Sequence, residues 1–271
     1  MQSRRLASNL GIYVYAVAGI YLGLVGLVSG DFAVPWQYVG LNGAVREALA
    51  YLVAIFELGG GIALLVPRTA RIGAVTLTIV YSFFTLWWVP KAVVDIFKPA
   101  YDSTGNVFEE FSMVVGGLML CAILLPAGSW FSRNQRLFVQ FLGFCSLSFG
   151  IVHIVDTMPG IASWIPKWLP PSPLFWAYVT TICFFLAAAS ILTGIMAPLA
   201  ARLLMAEIVG FQLLVWIPKL VAGPTQHFNW GGNGINLAIA GACWVVADQL
   251  SQAGMRKAAP EPVPYKVGSA A

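Results

Sequence analysis

Charged side chains are scarce in this chain of 271 residues. Lys, Arg, Asp and Glu together make up 10% of it, against 59% hydrophobic residues. The mean hydropathy of +0.81 lies far outside the range of soluble domains and excludes an ordinary soluble enzyme. The net charge of +4 is modest and comes largely from basic residues at one end of the predicted helices, so it does not indicate nucleic-acid binding.

Cysteine is also rare, and its spacing excludes further classes. Cys121, Cys145, Cys183 and Cys243 each stand alone in an apolar segment, without a Cys-x-x-Cys pair or a Cys/His cluster of metal-ligand spacing. This spacing disfavours a paired-cysteine thiol oxidoreductase and predicts no metal site. The sequence also lacks a phosphate-binding loop, a nucleophile elbow and a zinc-protease motif.

Long apolar runs, by contrast, are abundant. Eight of them are long enough to cross about 30 Å of hydrocarbon as helices. They lie at residues 10–29, 48–66, 72–89, 108–125, 137–155, 174–195, 203–217 and 233–247. We therefore predict an all-α membrane protein with eight transmembrane helices, for which the lipid bilayer is the first partner.

An internal repeat organises these helices. Trp88-Val89-Pro90-Lys91 returns 128 positions later as Trp216-Ile217-Pro218-Lys219, and Trp36 aligns with Trp164 at the same offset. This offset predicts a first four-helix repeat over residues 1–130 and a second over residues 131–250. Because four is an even number, the two four-helix bundles should be oriented in parallel.

Basic residues predict the orientation, because they concentrate at alternate connections between the helices. Ten of them fall on one side: Arg4, Arg5, Arg68, Arg71, Arg133, Arg136, Arg202, Arg256, Lys257 and Lys266. The other side has Arg46, Lys91, Lys98, Lys167 and Lys219 beside Asp31, Glu47, Asp95, Asp102, Glu109, Glu110 and Asp156. We expect a multi-pass protein of the cell (inner) membrane with both termini in the cytoplasm.

The two ends of the chain need separate treatment. The first apolar run is about twice the length of a signal-peptide core and lacks a clear Ala-x-Ala ending, so we interpret it as a retained helix. Residues 251–271 contain Pro260, Pro262 and Pro264 and cannot bury an apolar face, which predicts a disordered cytoplasmic tail.

Most tryptophans map to the outer end of the predicted bundle. These are Trp36, Trp87, Trp88, Trp164, Trp168, Trp176, Trp216 and Trp230. One interpretation is an aromatic belt, with the proline-rich loop 163–173 lying in the membrane interface. The other is an aromatic-lined pocket for a flat or lipophilic ligand. The pocket interpretation makes Trp36, Trp164, Trp168, Trp216 and Trp230 ligand-binding candidates.

Two acidic residues fall within predicted helices. Glu57 lies in the middle of the second helix, where its counterpart in the other repeat is Phe185. Without a basic partner nearby in sequence it is expected to be a neutral acid that relays protons, or else one that bridges two helices through a hydroxyl group. Glu207 lies close to Arg202, and snorkelling toward the interface accounts for it.

The only two histidines, His153 and His227, both fall near the outer end of the second repeat. Asp156 follows His153 by three positions at the end of the fifth helix, so its carboxylate can face the imidazole. With tryptophans nearby, the two histidines could hydrogen-bond a quinone carbonyl or exchange protons with it. A haem is disfavoured because neither histidine lies in mid-bundle. The alternative is two interfacial histidines bonded to loop carbonyls.

The second half of the chain resembles a DoxX-like membrane domain. The segments that carry this resemblance are residues 165–170, Phe175-Trp176-Ala177-Tyr178, Trp216-Ile217-Pro218-Lys219, residues 237–242 and Ala247-Asp248. The resemblance extends over residues 149–248 and more faintly over 21–121. DoxX-like proteins are usually one four-helix unit, so this chain is similar to a fused pair. The family takes its name from a thiosulfate:quinone oxidoreductase, and some members associate with membrane redox complexes. The resemblance therefore implies a four-helix membrane unit and a connection with quinone.

Three hypotheses follow, and they leave open whether the chain is an enzyme. In the first, the chain is a quinone-interacting, non-catalytic subunit of a membrane redox complex, with Glu57, His153 and Asp156 handling protons and His227 beside the ligand. The electrons then come from another membrane or peripheral redox protein. In the second, the chain carries a lipophilic small molecule or lipid. In the third, it is a structural scaffold without chemistry of its own.

Overall fold

The computed structural model of the protein describes residues 9–95 and 102–258, without the side chains of residues 102 and 254–258. The predictions for Arg4, Arg5, Lys98, Lys266 and most of the tail lie outside the described residues, as do the side chains of Asp102, Arg256 and Lys257. Within the described ranges the chain is helical and contains no strand.

Eight described helices are long and apolar enough to cross a membrane. We label them α1 (Gly11–Ser29), α2 (Gly43–Leu65), α3 (Ala70–Asp95), α4 (Asp102–Leu124), α5 (Gln135–Val155), α6 (Pro173–Thr193), α7 (Ala197–Ala222) and α8 (His227–Ala258). Two short helices, Trp130–Arg133 and Met158–Ala162, lie in the connections before and after α5. The prediction of eight apolar helices is confirmed, and the chain has the architecture of a multi-pass integral membrane protein.

Local sequence explains where the helices begin and end. Before α6, the Ser172 hydroxyl accepts the Phe175 N–H at 3.2 Å, and Pro173 occupies the first helical position. Gly194 ends the same helix with φ of 81°, a conformation that favours glycine. α8 continues to Ala258, past residue 251 where we predicted the disordered tail to begin. Just before this extension, Gln249 donates to Gln135 at 2.8 Å and ties α8 to α5.

The helices pack in a closed order. Each of the seven consecutive pairs of long helices is in contact, and α8 also contacts α1 and α4. Small residues allow these close approaches, as is usual between membrane helices. A Cβ atom at Gly241 of α8 would lie 2.6 Å from the Tyr15 backbone nitrogen of α1, and one at Gly61 of α2 would lie 2.6 Å from the Ala16 carbonyl oxygen. Helix α8 therefore joins the first half of the chain to the last.

The ends of α1, α3, α5 and α7 lie together with the loops that contain Trp36 and Trp164. We call this the tryptophan end of the bundle. At the opposite end, Arg202 of α7 pairs with Asp248 of α8 at 2.5 Å. Glu207, for which we expected snorkelling toward the interface, has one carboxyl oxygen buried without a hydrogen-bond partner.

Candidate functional site

Four aromatic side chains form one cluster at the tryptophan end. Trp36 lies in the α1–α2 loop, Trp164 in the α5–α6 connection, Trp216 in α7 and Phe228 in α8. The Trp36 and Trp216 ring centroids are 5.4 Å apart, and those of Trp164 and Trp216 are 5.7 Å apart. Phe228 packs against all three tryptophans. The structure therefore brings together three predicted ligand-binding tryptophans, and we call the four residues the aromatic cluster.

Backbone contacts hold the aromatic cluster in place. The Trp88 indole donates to the Trp36 carbonyl oxygen, which ties the α1–α2 loop to α3. Gly232 of α8 makes room for Trp216, because a Cβ atom there would lie 2.0 Å from the indole ring. The Lys219 ammonium group lies 3.0 Å from the Trp164 ring centroid, a cation–π contact that covers the cluster.

The helix that bears Trp216 changes its winding. Residues Gln212–Trp216 form a π-helical segment within α7, a feature that often marks functional sites. Such a segment disturbs the regular backbone hydrogen bonds, and amide side chains of α8 satisfy two carbonyl groups. Asn236 donates to the Ile208 carbonyl oxygen at 3.2 Å, and Asn233 donates to that of Trp216 at 2.7 Å.

Gln212 connects these two asparagines. It donates to Asn233 at 2.8 Å and accepts from Asn236 at 2.8 Å. A buried polar network with its members paired rigidifies the helices it joins. It therefore fixes the position of Trp216 relative to α8.

A cavity of about 260 Å³ lies beside the aromatic cluster. Trp36, Trp164 and Trp216 form part of its wall, and three titratable residues, Glu109, His153 and Asp156, also line it. The remaining wall includes residues of α5, α6, α7 and α8, among them Phe184, Phe211 and Asn236. We call this cavity the polar chamber. It contains five residues that the sequence had suggested for a site: Trp36, His153, Asp156, Trp164 and Trp216.

The hydrogen bonds of His153 define which of its nitrogens is available. The Thr181 hydroxyl donates its one proton to the Ala177 carbonyl oxygen at 2.7 Å. Its oxygen therefore accepts from His153 Nδ1, 2.9 Å away. With the proton on Nδ1, the neutral imidazole has Nε2 as a hydrogen-bond acceptor. His153 can thus accept a hydrogen bond from a hydroxyl group in the polar chamber.

Glu109 is the acidic counterpart of His153 in the polar chamber. The Trp36 side chain lies close to its carboxyl group, and Asp156 lies within electrostatic range of it. Its Oε2 atom is buried without a hydrogen-bond partner, which favours the protonated form. Asp156 itself is exposed, at the end of α5. We predicted that the Asp156 carboxylate faces the His153 imidazole. In the structure, both residues line the polar chamber.

An apolar groove of about 410 Å³ lies next to the polar chamber, between α6 and α7. The two cavities share four wall residues: Ile165, Thr180, Phe211 and Val215. Beyond them the groove is lined mainly by leucine, alanine and other apolar side chains, with Glu207 among them. The polar chamber and the apolar groove are therefore adjacent, with these four residues at their boundary.

Glu57 lies elsewhere, inside the first four helices. It is 2% exposed, and Gln37 donates to its Oε1 atom at 2.5 Å. The hydrogen-bond partner is thus an amide from the α1–α2 loop, whereas the alternative reading of the sequence expected a hydroxyl group. Glu57 does not line the polar chamber.

The other predicted residues are also separate from the polar chamber. His227 bonds the Phe32 carbonyl oxygen through Nε2 at 2.7 Å, as expected for a histidine bonded to a loop carbonyl. With Trp230 it lines a different cavity of about 420 Å³, where Trp230 stacks on Tyr21. Trp168 is 70% exposed. The structure therefore does not bring His153 and His227 to one cavity.

Sequence reasoning missed Glu109, Thr181 and the amide network. Glu109 and Glu110 had been assigned to the outer connection, because the fourth helix was predicted to begin at residue 108. α4 instead begins at Asp102, which places both carboxyl groups two turns inside the bundle. Two adjacent acids inside an apolar stretch were the available signal.

Within the described part of the chain, no group of three or more His, Cys, Asp or Glu residues could hold a metal ion. The four cysteines are free of disulfide bonds.

Comparison of the chain with protein-family models, curated proteins and solved structures finds no match.

Proposed function

We propose that this membrane protein binds a quinone, with the ring in the polar chamber and the isoprenoid tail in the apolar groove. The observation that supports this best is that Ile165, Thr180, Phe211 and Val215 line both cavities, which places a polar cavity directly beside an apolar one. Small-molecule sites are mostly apolar with a few polar groups that orient the ligand. A polar-headed, long-tailed ligand matches this division.

The hydrogen-bond donor and the hydrogen-bond acceptor in the polar chamber match the chemistry of a quinone and its quinol. Reduction of a quinone takes two electrons and two protons, and each carbonyl oxygen becomes a hydroxyl group. Protonated Glu109 can donate to a carbonyl oxygen, whereas His153 Nε2 can accept from a hydroxyl group. The electrons would come from a separate membrane or peripheral redox protein, so the chain acts as a quinone-interacting subunit.

We also propose that the chain is a tandem duplication, and the contacts between its helices support this. A shift of 128 positions converts the α1–α2, α2–α3 and α3–α4 contacts into α5–α6, α6–α7 and α7–α8 contacts. It also relates the α4–α5 contact to that of α8 with α1. We therefore propose two parallel four-helix units of DoxX-like type in an inner membrane, with cytoplasmic termini and the tryptophan end facing outward.

A lipid carrier is the second candidate, because the same groove lies between membrane helices and would admit an acyl chain. The scaffold hypothesis gives no role to the polar chamber. We would purify the protein in mild detergent from its native membrane and analyse an organic extract. A stoichiometric quinone supports the proposal, whereas a defined lipid without quinone favours the carrier. A ligand-free protein that arrives with other polypeptides favours the scaffold.

The binding geometry is tested by a matched pair of variants. Thr180 lies in the shared wall, and Thr180→Phe should narrow the passage between chamber and groove. We expect the affinity for a long-tailed quinone to fall at least about tenfold, or ~1.4 kcal/mol, by tryptophan-fluorescence titration. Thr193→Phe is the control, because both threonines donate to the carbonyl four residues earlier and Thr193 lies at the exposed end of α6. Equal affinities in the two variants would reject this geometry.

A further inference from the structure

A second group of buried polar side chains occupies the interior of the first four helices. Each helix contributes one residue: Tyr15 from α1, Glu57 from α2, Tyr81 from α3 and Glu110 from α4. Glu57 is 2% exposed and the other three are fully buried. We call these residues the acid–tyrosine cluster.

The members of the acid–tyrosine cluster are close enough to interact. The Tyr15 and Tyr81 ring centroids lie 5.8 Å apart. Glu110 interacts electrostatically with Glu57, and both tyrosines interact with both carboxyl groups. The counterparts at an offset of 128 are Gly143, Phe185, Val209 and Ala238, so the second half has no equivalent cluster.

Two members of the acid–tyrosine cluster have unpaired polar atoms. Both carboxyl oxygens of Glu110 and the hydroxyl group of Tyr81 are buried without a hydrogen-bond partner. The Tyr15 hydroxyl instead donates to the Met113 carbonyl oxygen at 2.8 Å. Such unpaired atoms in a fully buried site require a small polar partner. A proton, moving alone or with water, is the smallest such partner.

No base lies among the groups that interact with the cluster in the described chain. The titratable groups that face its members are Tyr15, Glu57, Tyr81, Glu109, Glu110 and Cys121. A buried carboxylate without a basic partner is strongly unfavourable, so both carboxyl groups are best satisfied as neutral acids. The first four helices thus hold two transferable protons.

Glu109 connects the acid–tyrosine cluster to the polar chamber. It precedes Glu110 in α4, interacts with it electrostatically, and lines the chamber. Its Oε2 atom has no hydrogen-bond partner, as is the case for both oxygens of Glu110. A proton lost from Glu109 to the chamber can therefore be replaced from Glu110.

We infer that Glu57 and Glu110 form a buried proton reservoir that exchanges protons with the polar chamber through Glu109. When Glu109 gives its proton to a ligand oxygen, the O–H bond of Glu110 breaks as a new one forms on Glu109. Glu57 then reprotonates Glu110, and one proton from the aqueous phase refills the reservoir. That the acceptor is a quinone oxygen rests on the proposed function, whereas the reservoir itself does not.

Infrared spectroscopy of the ligand-free protein in detergent tests the reservoir. At neutral pH the wild-type protein should show the carbonyl stretch of protonated carboxylic acids, shifted when the solvent is D₂O. Glu57→Gln and Glu110→Gln should each remove part of this band, whereas Glu47→Gln changes an exposed carboxyl group and should leave it intact. If Glu110→Gln fails to fold, the carboxylic-acid band of the wild-type protein and its change in Glu57→Gln still test the reservoir. A spectrum of carboxylates alone, or a band unchanged in Glu57→Gln, overturns the inference.

The route through Glu109 is tested by the rate of deuterium exchange. After transfer to D₂O, Glu109→Gln should slow the shift of the buried carboxyl band roughly a hundredfold, the low end of the contribution of a positioned proton-transfer group. Equal rates in wild type and variant overturn the route. Quinone binding is measured separately by tryptophan fluorescence. A protein that has the reservoir but binds no quinone overturns the proposed function alone, and one that binds quinone with ionised carboxyl groups overturns the reservoir alone.

Discussion

The Trp36 and Trp216 rings meet edge to face with their centroids 5.4 Å apart, although they belong to different halves of the chain. Trp36 also packs on Phe228 and lies close to the Glu109 carboxyl group, so it joins the α1–α2 loop to α4, α7 and α8. We predict that Trp36→Ala lowers the free energy of unfolding in detergent by about 3 kcal/mol or more, since it leaves a large cavity among aromatic rings.

The matched control for this change is Trp168→Ala. Trp168 is 70% exposed and has the same side chain at the same end of the bundle. Its removal should change the midpoint of thermal unfolding little. If the two variants unfold at the same temperature, the aromatic cluster does not stabilise the junction between the halves.

Gly232 tests the fit of Trp216 against α8. A Cβ atom at this position would lie 2.0 Å from the indole ring, so Gly232→Ala must displace Trp216. We expect a loss of about 1–3 kcal/mol in stability, as for other overpacked positions, together with a shifted tryptophan emission maximum.

Gly59→Ala is the control for Gly232→Ala. A Cβ atom at Gly59 of α2 would meet nothing within 4 Å. Alanine is also the better helix former, so the stability should stay unchanged or rise by up to ~1 kcal/mol. A loss of stability of the same size in both variants would show that glycine matters for helix conformation, and not for the space beside Trp216.

Two substitutions of Glu57 test whether its site requires a neutral side chain or tolerates a charged one. Glu57→Gln keeps an oxygen that accepts from Gln37, so the protein should fold with a loss of about 1 kcal/mol at most. Glu57→Lys places a cation in mid-bundle and should destabilise the protein by at least about 3 kcal/mol. Yield from the membrane and size-exclusion profiles measure both. A well-folded Glu57→Lys protein would mean that this site tolerates a charge.

The eight helices could be predicted from the sequence because the length of an apolar run is a property of consecutive residues. Composition alone sufficed for the class of protein. The helices α3, α7 and α8 nevertheless extend beyond their predicted ends. In α8 this happens because Asn229 and Asn233 are buried and hydrogen-bonded to carbonyl oxygens of α7 and of the α7–α8 connection, so polar residues belong inside the helix.

The candidate site could be predicted only in part, because its contacts join residues that are distant in sequence. The tryptophans and His153 were accessible as rare residue types near one end. The pairing of His153 with Thr181 depends on how α5 faces α6, and that of Trp36 with Glu109 depends on a loop reaching α4. Likewise, the π-helical turn at Gln212–Trp216 has no signal in apolar periodicity.

The Thr181 hydroxyl provides a test of how His153 acts. Thr181→Val keeps the shape of the side chain but removes the acceptor for His153 Nδ1, so the imidazole loses the bond that fixes its tautomer. We expect the affinity for a quinol to weaken by about tenfold, which corresponds to ~1.4 kcal/mol. His153→Gln should weaken it at least as much, because it removes the acceptor nitrogen itself. Titration of tryptophan fluorescence measures both.

Thr85→Val separates this effect from the general cost of losing a buried hydroxyl group. Thr85 is also buried in a membrane helix and also donates to the carbonyl four residues earlier, at 3.0 Å. It does not line the polar chamber. If Thr85→Val leaves quinol affinity unchanged while Thr181→Val weakens it, the hydroxyl acts through His153. If Thr181→Val binds as tightly as wild type, the bond from His153 to Thr181 does not set quinol affinity. If His153→Gln also binds as tightly, the acceptor role of Nε2 is rejected.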